Sequence, residues 1–142
     1  MFHADQCFQR KYVEFVDTDT LFVTRVTSGL LFEDGKPIII GQFRINEDHW
    51  WANAAKATLI ALGQKKVFRC MSYFPVIFET EHIIEMREYM AKLHKMEFNL
   101  VFQKFSRGDG FSQFNIMCNY VWHFHRGDYR FHAQLRNGLW NG

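Results

Sequence analysis

The chain has 142 residues, of which 48% are hydrophobic and 18% aromatic, a composition that can bury one core and excludes a disordered chain. Its 17 Lys and Arg against 15 Asp and Glu leave a net charge of +2, which argues against a nucleic-acid-binding module. No apolar run reaches the length of a membrane span and the first residues carry no signal-peptide pattern. We therefore expect a soluble chain without a transmembrane segment, and the sequence assigns it no compartment.

Extended structure is predicted wherever β-branched and aromatic residues cluster. These segments are 12–16, 23–31, 38–40, 65–73 and 76–78. Asp34 and Gly35 signal a turn before the third of them, and Pro75 limits the last to the edge of a sheet.

Helices are predicted from capping residues and from apolar residues at helical spacing. Three are expected, beginning at Glu47, at Thr80 and after the cap Ser112. Gly63 sits where a glycine ends the first of these helices. The segment 2–10 is compatible with the last turns of a shorter helix, and 96–105 is predicted to be extended or irregular.

The three cysteines are odd in number and widely spaced along the chain. Cys7, Cys70 and Cys118 form neither a disulfide framework nor a zinc-binding pattern. Buried thiols are therefore the expected state of these side chains.

Two carboxylates follow the first predicted strand. Because residues i and i+2 of an extended chain share a face, Asp17 and Asp19 can point at one object beyond the strand. Two converging carboxylates repel each other unless a cation lies near them, and Mg²⁺ or Mn²⁺ suits such oxygen ligands. Thr18 adds a hydroxyl beside them. The alternative is a turn in which Asp17 or Asp19 only caps the backbone.

The run Asp-Thr-Asp-Thr at 17–20 resembles the Asp-x-Asp motif of glycosyltransferases with the GT-A fold. The stretches 74–78, 110–115 and 120–125 resemble later segments of an uncharacterised glycosyltransferase-like family that carries this motif. The resemblance covers about residues 2–135. It implies a single α/β domain over 1–142, namely the later portion of a GT-A-like, Rossmann-like mixed sheet flanked by about three helices, in a chain truncated at its beginning.

The same resemblance implies roles for residues near the motif and for several later ones. Asp17, Thr18 and Asp19 would contact the sugar nucleotide, with both aspartates on Mn²⁺ or Mg²⁺ and His125 completing the metal shell. Residues expected at the acceptor are Ser112, Gln113, Asn115 and Trp122. Gln113 stands where related patterns often have Glu, and it cannot accept a proton as a general base. Asp109 is the substitute candidate for that base, with a turn residue between two glycines as its alternative.

The expected activity is therefore metal-dependent glycosyl transfer from a nucleoside diphosphate sugar to a carbohydrate or another hydroxyl acceptor. A non-catalytic carbohydrate- or metal-binding remnant of such a domain is the alternative, since the chain is short for a complete one. A carboxylate-metal phosphohydrolase is a third interpretation, which requires further acidic ligands near Asp17.

Overall fold

A computed structural model describes residues 1–42, 49–70, 73–107 and 111–133, without the side chains of 49–51. Its helices are α1 (Ala4–Cys7), α2 (Ser28–Leu31), α3 (His49–Leu62), α4 (Thr80–His94), α5 (Phe98–Ser106), α6 (Gln113–Phe124) and a 3₁₀ turn (Arg126–Asp128). Its strands are β1 (Tyr12–Phe15), β2 (Phe32–Glu33), β3 (Lys36–Gly41), β4 (Val76–Glu79) and β5 (Arg130–Ala133). None of the described helices combines the length and the apolarity that a membrane crossing requires.

The strands form two small sheets. Strands β1 and β4 make an antiparallel ribbon, in which Tyr12 pairs with Glu79 and Phe15 pairs with Val76. The second sheet has the order β2-β3-β5, with β2 antiparallel and β5 parallel to β3. The predicted α/β class is thus confirmed, but the described residues hold six α-helices and two sheets where about three helices around one sheet were expected.

The turn between β2 and β3 is the one that Asp34 and Gly35 predict. Both residues have positive φ angles, of 50° and 72°. Two successive residues with positive φ give the backbone twist that joins short antiparallel strands through a two-residue loop. Asp and Gly are among the residues that tolerate positive φ best.

The predicted helices are present, and helices also occur in two segments where none was predicted. These are 96–105, predicted to be extended or irregular, and 23–31, predicted to be extended. Thr80 begins α4, and Gly63 follows α3 with a φ of 61°. Residues 43–48, where the start of α3 was predicted, lie outside the described residues. Helix α5 replaces the segment predicted to be extended or irregular, because Phe98, Val101 and Phe105 share one face at helical spacing and turn it towards the core. Helix α2 is a single turn within 23–31.

One main core joins the helices to the ribbon. Its largest fully buried side chains come from helices α3 to α6, from strands β3 and β4, and from the segment before Cys70. These side chains are Phe68, Phe78, Ile39, Leu62, Ile83, Met86, Met90, Ile116, Val101, Val121 and Asn115. Asn115 is the polar member of this set, and its contacts with the segment 66–70 explain its position.

Cys70 and Cys118 form a disulfide, which corrects the expectation of buried thiols for this pair. Both residues are fully buried, and the bond ties the segment before residue 71 to α6 across 48 positions of sequence. The spacing of three cysteines carries no information about such a pairing, because folding alone brings these two together. Cys7 is a free, exposed cysteine.

Arg87 on α4 holds the amino-terminal segment in place. Its guanidinium donates to both carboxylate oxygens of Asp5, with 2.7 Å between Nη2 and Oδ2, and also to the carbonyl of Phe2. The Asp5 and Arg87 side chains are only 10% and 14% exposed. The hydrogen bond from Arg87 is the main cause that lowers the pKa of Asp5 below its ordinary value of 3.8.

We expect Asp5→Asn to reduce the free energy of unfolding by about 3 kcal/mol at neutral pH, because it leaves a largely buried guanidinium without its charged partner. A carboxyl with a lowered folded-state pKa stabilises the fold above its unfolded-state pKa, and this contribution disappears as the pH falls through the folded-state pKa. Urea denaturation at pH 7 and at about pH 3 checks both points, since the difference from the unmodified chain should shrink in acid.

Asp34→Asn is the matched control. Asp34 pairs with Arg130 at 2.8 Å, but the two side chains are 72% and 37% exposed. Loss of this exposed pair should change stability by less than about 1 kcal/mol. A difference between the Asp5 variant and the unmodified chain that is equally large in acid would contradict the assignment.

Candidate functional site

The Asp-Thr-Asp-Thr run forms a turn directly after β1. The backbone N–H of Thr20 donates to the carbonyl of Asp17 at 3.1 Å, and the N–H of Thr18 donates to Asp17 Oδ1 at 2.9 Å. Asp17 thus has the turn-capping role that was the alternative interpretation, and it is half-buried, whereas Asp19 is exposed. None of the ion pairs among the described residues involves either carboxylate, so both keep oxygens for a ligand.

A pocket of about 200 Å³ lies at the same end of the ribbon. Its lining includes Phe22, Thr24, Tyr73, Phe74, Pro75 and Val76, together with apolar residues of α2 and β3. Val76 pairs with Phe15, and Asp17 follows Phe15 by two positions. The register therefore places the aspartate turn at the end of the ribbon where Val76 lines this mainly apolar pocket, although neither aspartate is among its lining residues.

Two of the four residues expected at an acceptor, Ser112 and Asn115, are buried and make structural contacts. Ser112 Oγ accepts the N–H of Asn115 at 3.1 Å, which confirms it as the cap of α6, and it is 5% exposed. Asn115 is fully buried, and its Oδ1 accepts the N–H of Cys70 at 3.2 Å. Neither presents a polar atom to a substrate in this structure. Gln113 is half-buried and lines a separate pocket of about 210 Å³ beside α5. Trp122 stacks on Phe68, with 6.2 Å between ring centroids.

A stripe of three polar side chains on α6 binds the backbone of the segment 66–70. Asn119 accepts the N–H of Phe68 at 2.7 Å and donates to its carbonyl at 2.8 Å. Asn115 binds Cys70, and His123 Nε2 lies 2.8 Å from the carbonyl of Lys66. On the opposite side, Arg69 exchanges two backbone hydrogen bonds of 2.9 Å with Gln42. Beside that bridge the fold requires a glycine, because a Cβ on Gly41 would lie 2.3 Å from the Arg69 carbonyl oxygen.

His125 belongs to a second cluster of chemically capable residues. Its Nε2 lies 2.9 Å from Glu85 Oε2, and its ring stacks on that of His82 with 3.8 Å between centroids. Among the described residues, His82, Glu85 and His125 are the one group of three whose potential ligand atoms all lie within 4.8 Å of one another. Asp128 approaches both histidines, at 3.9 Å from His82 Nε2 and 3.7 Å from His125 Nδ1.

Tyr129 fixes the position of His82. Its hydroxyl lies 2.8 Å from His82 Nδ1 and accepts the backbone N–H of Glu79 at 3.0 Å. Burial, and then the nearby His125, lower the pKa of His82, so that the neutral ring is favoured. Burial likewise raises the pKa of Tyr129, which keeps its hydroxyl protonated. The arrangement leaves His82 with a fixed ring and with Nε2 directed towards the cluster.

The cluster and the aspartate turn lie beyond opposite ends of the β1–β4 ribbon. Glu79, three residues before His82, pairs with Tyr12, whereas Val76 pairs with Phe15 next to the aspartates. This register separates His125 from the metal that it was expected to share with Asp17 and Asp19. The structure places His125 with Glu85 and His82 instead.

One candidate falls outside the described residues, and others were not foreseen. Asp109 is the candidate outside them. His82 and Glu85 were missed, although both lie within the predicted second helix. Their i, i+3 spacing places them on one face of that helix, a signal that was present in the sequence.

Comparison with known proteins identifies a family but no individual relative. No curated protein and no solved structure matches the chain. The family model described as "Family of unknown function (DUF6492)" matches residues 2–122, which include the aspartate turn, His82 and Glu85. Since this match covers most of the 142 residues, the chain belongs to the DUF6492 family, a family of unknown function.

Proposed function

We propose that this protein is a metal-dependent glycosyltransferase of the GT-A type that uses a nucleoside diphosphate sugar. The observation that supports the proposal most is that Asp17 and Asp19 follow β1 at the end of the ribbon where Val76, a lining residue of the 200 Å³ pocket, begins β4. Their carboxylates form no ion pair with the described residues. A sugar nucleotide carries an anionic diphosphate and a flat base, which a ribose connects. An acidic edge that holds a metal suits the diphosphate, and a mainly apolar pocket suits the base.

In this proposal Asp17 and Asp19 hold Mn²⁺ or Mg²⁺ against the diphosphate. A metal bound there would stabilise the negative charge that develops on the leaving diphosphate. The turn contributes to the site because the N–H of Thr18 already binds Asp17 Oδ1, which fixes the orientation of that carboxylate. Tyr73 and Phe74 in the pocket lining offer aromatic faces for the base.

The exposed apolar residues after the motif also fit a ligand-binding edge. Leu21 and Val23 are 82% and 90% exposed, and Phe22 between them lines the pocket. A bound nucleotide sugar and acceptor would cover part of this surface. The proposed acceptor is a carbohydrate or another hydroxyl compound, and Asp109 is the proposed general base for an inverting reaction.

One observation favours a second candidate, a non-catalytic carbohydrate- or metal-binding domain. Ser112 and Asn115, two residues expected to contact an acceptor, are buried and used by the fold. A domain of this kind would keep the metal and nucleotide edge and lack an acceptor site. The phosphohydrolase interpretation gains no such support, since no third acidic ligand joins Asp17 and Asp19 among the described residues.

We expect nucleoside diphosphates to bind the chain only in the presence of Mn²⁺ or Mg²⁺, and Asp19→Asn to weaken this binding by at least about tenfold. Isothermal titration calorimetry with Mn²⁺ and a panel of nucleoside diphosphates measures the effect. Asp19 is exposed, so the variant keeps the fold, which circular dichroism verifies. Asp34→Asn removes another exposed carboxylate from a turn and should leave the binding unchanged.

The outcomes separate the candidates. Metal-dependent binding that Asp19→Asn abolishes, together with release of the nucleotide from a sugar nucleotide when acceptors are supplied, supports the transferase. The same binding without turnover supports the non-catalytic domain. Absence of nucleotide binding in a folded chain, or equal binding by the Asp19 variant, overturns the proposed site.

A further inference from the structure

We propose that His82, Glu85 and His125 form a second metal site, one that takes zinc or a similar transition metal and is independent of the aspartate turn. Their potential ligand atoms lie within 4.8 Å of one another. Tetrahedral zinc with bonds of about 2.0–2.1 Å needs ligand atoms about 3.3 Å apart. The three side chains therefore have to approach by no more than about 1.5 Å, which small side-chain rotations provide.

The donor types point to zinc rather than to magnesium or calcium. Two imidazoles and one carboxylate are a ligand set that binds zinc with a fourth position left for water, whereas Mg²⁺ and Ca²⁺ prefer oxygen alone. His82 and Glu85 are three apart on α4, so the helix itself presents both on one face. His125 comes from the end of α6 and already contacts Glu85 at 2.9 Å.

Tyr129 is an independent observation in favour of a metal. A metal-binding histidine nearly always uses its second ring nitrogen for a hydrogen bond that fixes the ring. The contact of 2.8 Å between His82 Nδ1 and the Tyr129 hydroxyl provides this bond and leaves Nε2 for the ion. Tyr129 is 2% exposed and held by the N–H of Glu79, so it acts as a rigid positioning residue.

The site is accessible from one side. The side chains of His82 and His125 are 10% and 19% exposed, whereas that of Glu85 is 41% exposed. An ion can therefore enter along Glu85 and reach two fixed, mostly buried imidazoles. Asp128, whose Oδ2 lies within 3.9 Å of a nitrogen of each histidine, is placed to orient one of them or to join the shell.

We expect the untagged, chelator-treated chain to bind one equivalent of Zn²⁺ in calorimetry, and His125→Gln or Glu85→Gln to weaken that binding by at least about tenfold. Tyr129→Phe should weaken it by about tenfold without removing a ligand. Co²⁺ gives a second readout, because tetrahedral coordination by nitrogen and oxygen produces visible absorption that the His125 variant should lose. Zn²⁺ should also raise the thermal midpoint of the unmodified chain.

His132 and Glu33 supply the matched control. His132 Nε2 lies 2.7 Å from Glu33 Oε2, in a histidine–carboxylate pair that belongs to no group of three among the described residues. His132→Gln and Glu33→Gln should leave zinc binding unchanged. Three results would each overturn the proposal. The control variants could lose zinc binding to the same extent as the His125 and Glu85 variants, the unmodified chain could show no saturable zinc binding, or folded His125→Gln could bind zinc undiminished.

The two metal proposals fail separately. Asp19→Asn should keep zinc binding, and His125→Gln should keep manganese-dependent nucleotide binding. If the chain binds zinc but binds no nucleotide, the transferase proposal is contradicted and the second site is supported. If it binds nucleotides with manganese but binds no zinc, only the second site is contradicted.

Discussion

Cys70→Ala combined with Cys118→Ala should lower the free energy of unfolding by about 4 kcal/mol. The bond closes a loop across 48 positions, and the loss of chain entropy in the unfolded state accounts for about this amount. Folded single domains are stable by only about 5–15 kcal/mol, so the variant should unfold at a much lower urea concentration. Urea denaturation under non-reducing conditions measures the difference.

Cys7→Ala is the control for this experiment. Cys7 is exposed and unpaired, so its replacement should change stability by less than about 0.5 kcal/mol. Titration of the denatured, unreduced chain should find one free thiol. Three free thiols, with equal stability for the unmodified chain and the double variant, would contradict the pairing.

Asn119→Ala should reduce the free energy of unfolding by about 3 kcal/mol. The substitution removes two hydrogen bonds to the Phe68 backbone, since the Asn119 side chain accepts its N–H and donates to its carbonyl. Asn119 is 1% exposed, so water does not readily replace these contacts, and each buried group left without a partner costs about 1–3 kcal/mol. Chemical denaturation checks the value.

Two further variants define the cause of this effect. Asn99→Ala removes an exposed amide of the same type, which lies 3.2 Å from His3, and should have an effect below about 0.5 kcal/mol. Asn119→Asp keeps the acceptor for the Phe68 N–H but loses the donor to its carbonyl, so it should also destabilise. A neutral result for Asn119→Ala would show that the hydrogen bonds between Asn119 and Phe68 do not stabilise the fold.

Local signals predicted a large part of the fold. The cap Ser112, the glycine Gly63 and the turn at Asp34 each act within a few residues, and the structure confirms all three. Helix α5 was missed because Phe98, Val101 and Phe105 suit a strand by type and a helix by spacing. The extent of their burial, which decides between the two, is a property of the packed chain.

The candidate sites were predictable to different degrees. The two carboxylates of the aspartate turn could be found because they lie close in sequence after a predicted strand. The strand ends at Phe15, however, so the shared face expected of an extended segment does not apply to Asp17 and Asp19. The group of His82, Glu85 and His125 could not be predicted in this way. His125 is 40 residues beyond Glu85, and only the packing of α6 on α4 brings them together. The disulfide and the contacts of Asn119 depend on the same long-range packing, which no spacing in the sequence reveals.

The contacts of the segment 66–70 also limit where another molecule could add a strand to this fold. An extended segment with unpaired N–H and carbonyl groups invites strand addition by another molecule. Here α6 occupies the groups of Phe68 on one side and Gln42 occupies those of Arg69 on the other. Helix α6 thus takes the place of a neighbouring strand, and at these two residues it leaves no open edge on which a second copy could assemble.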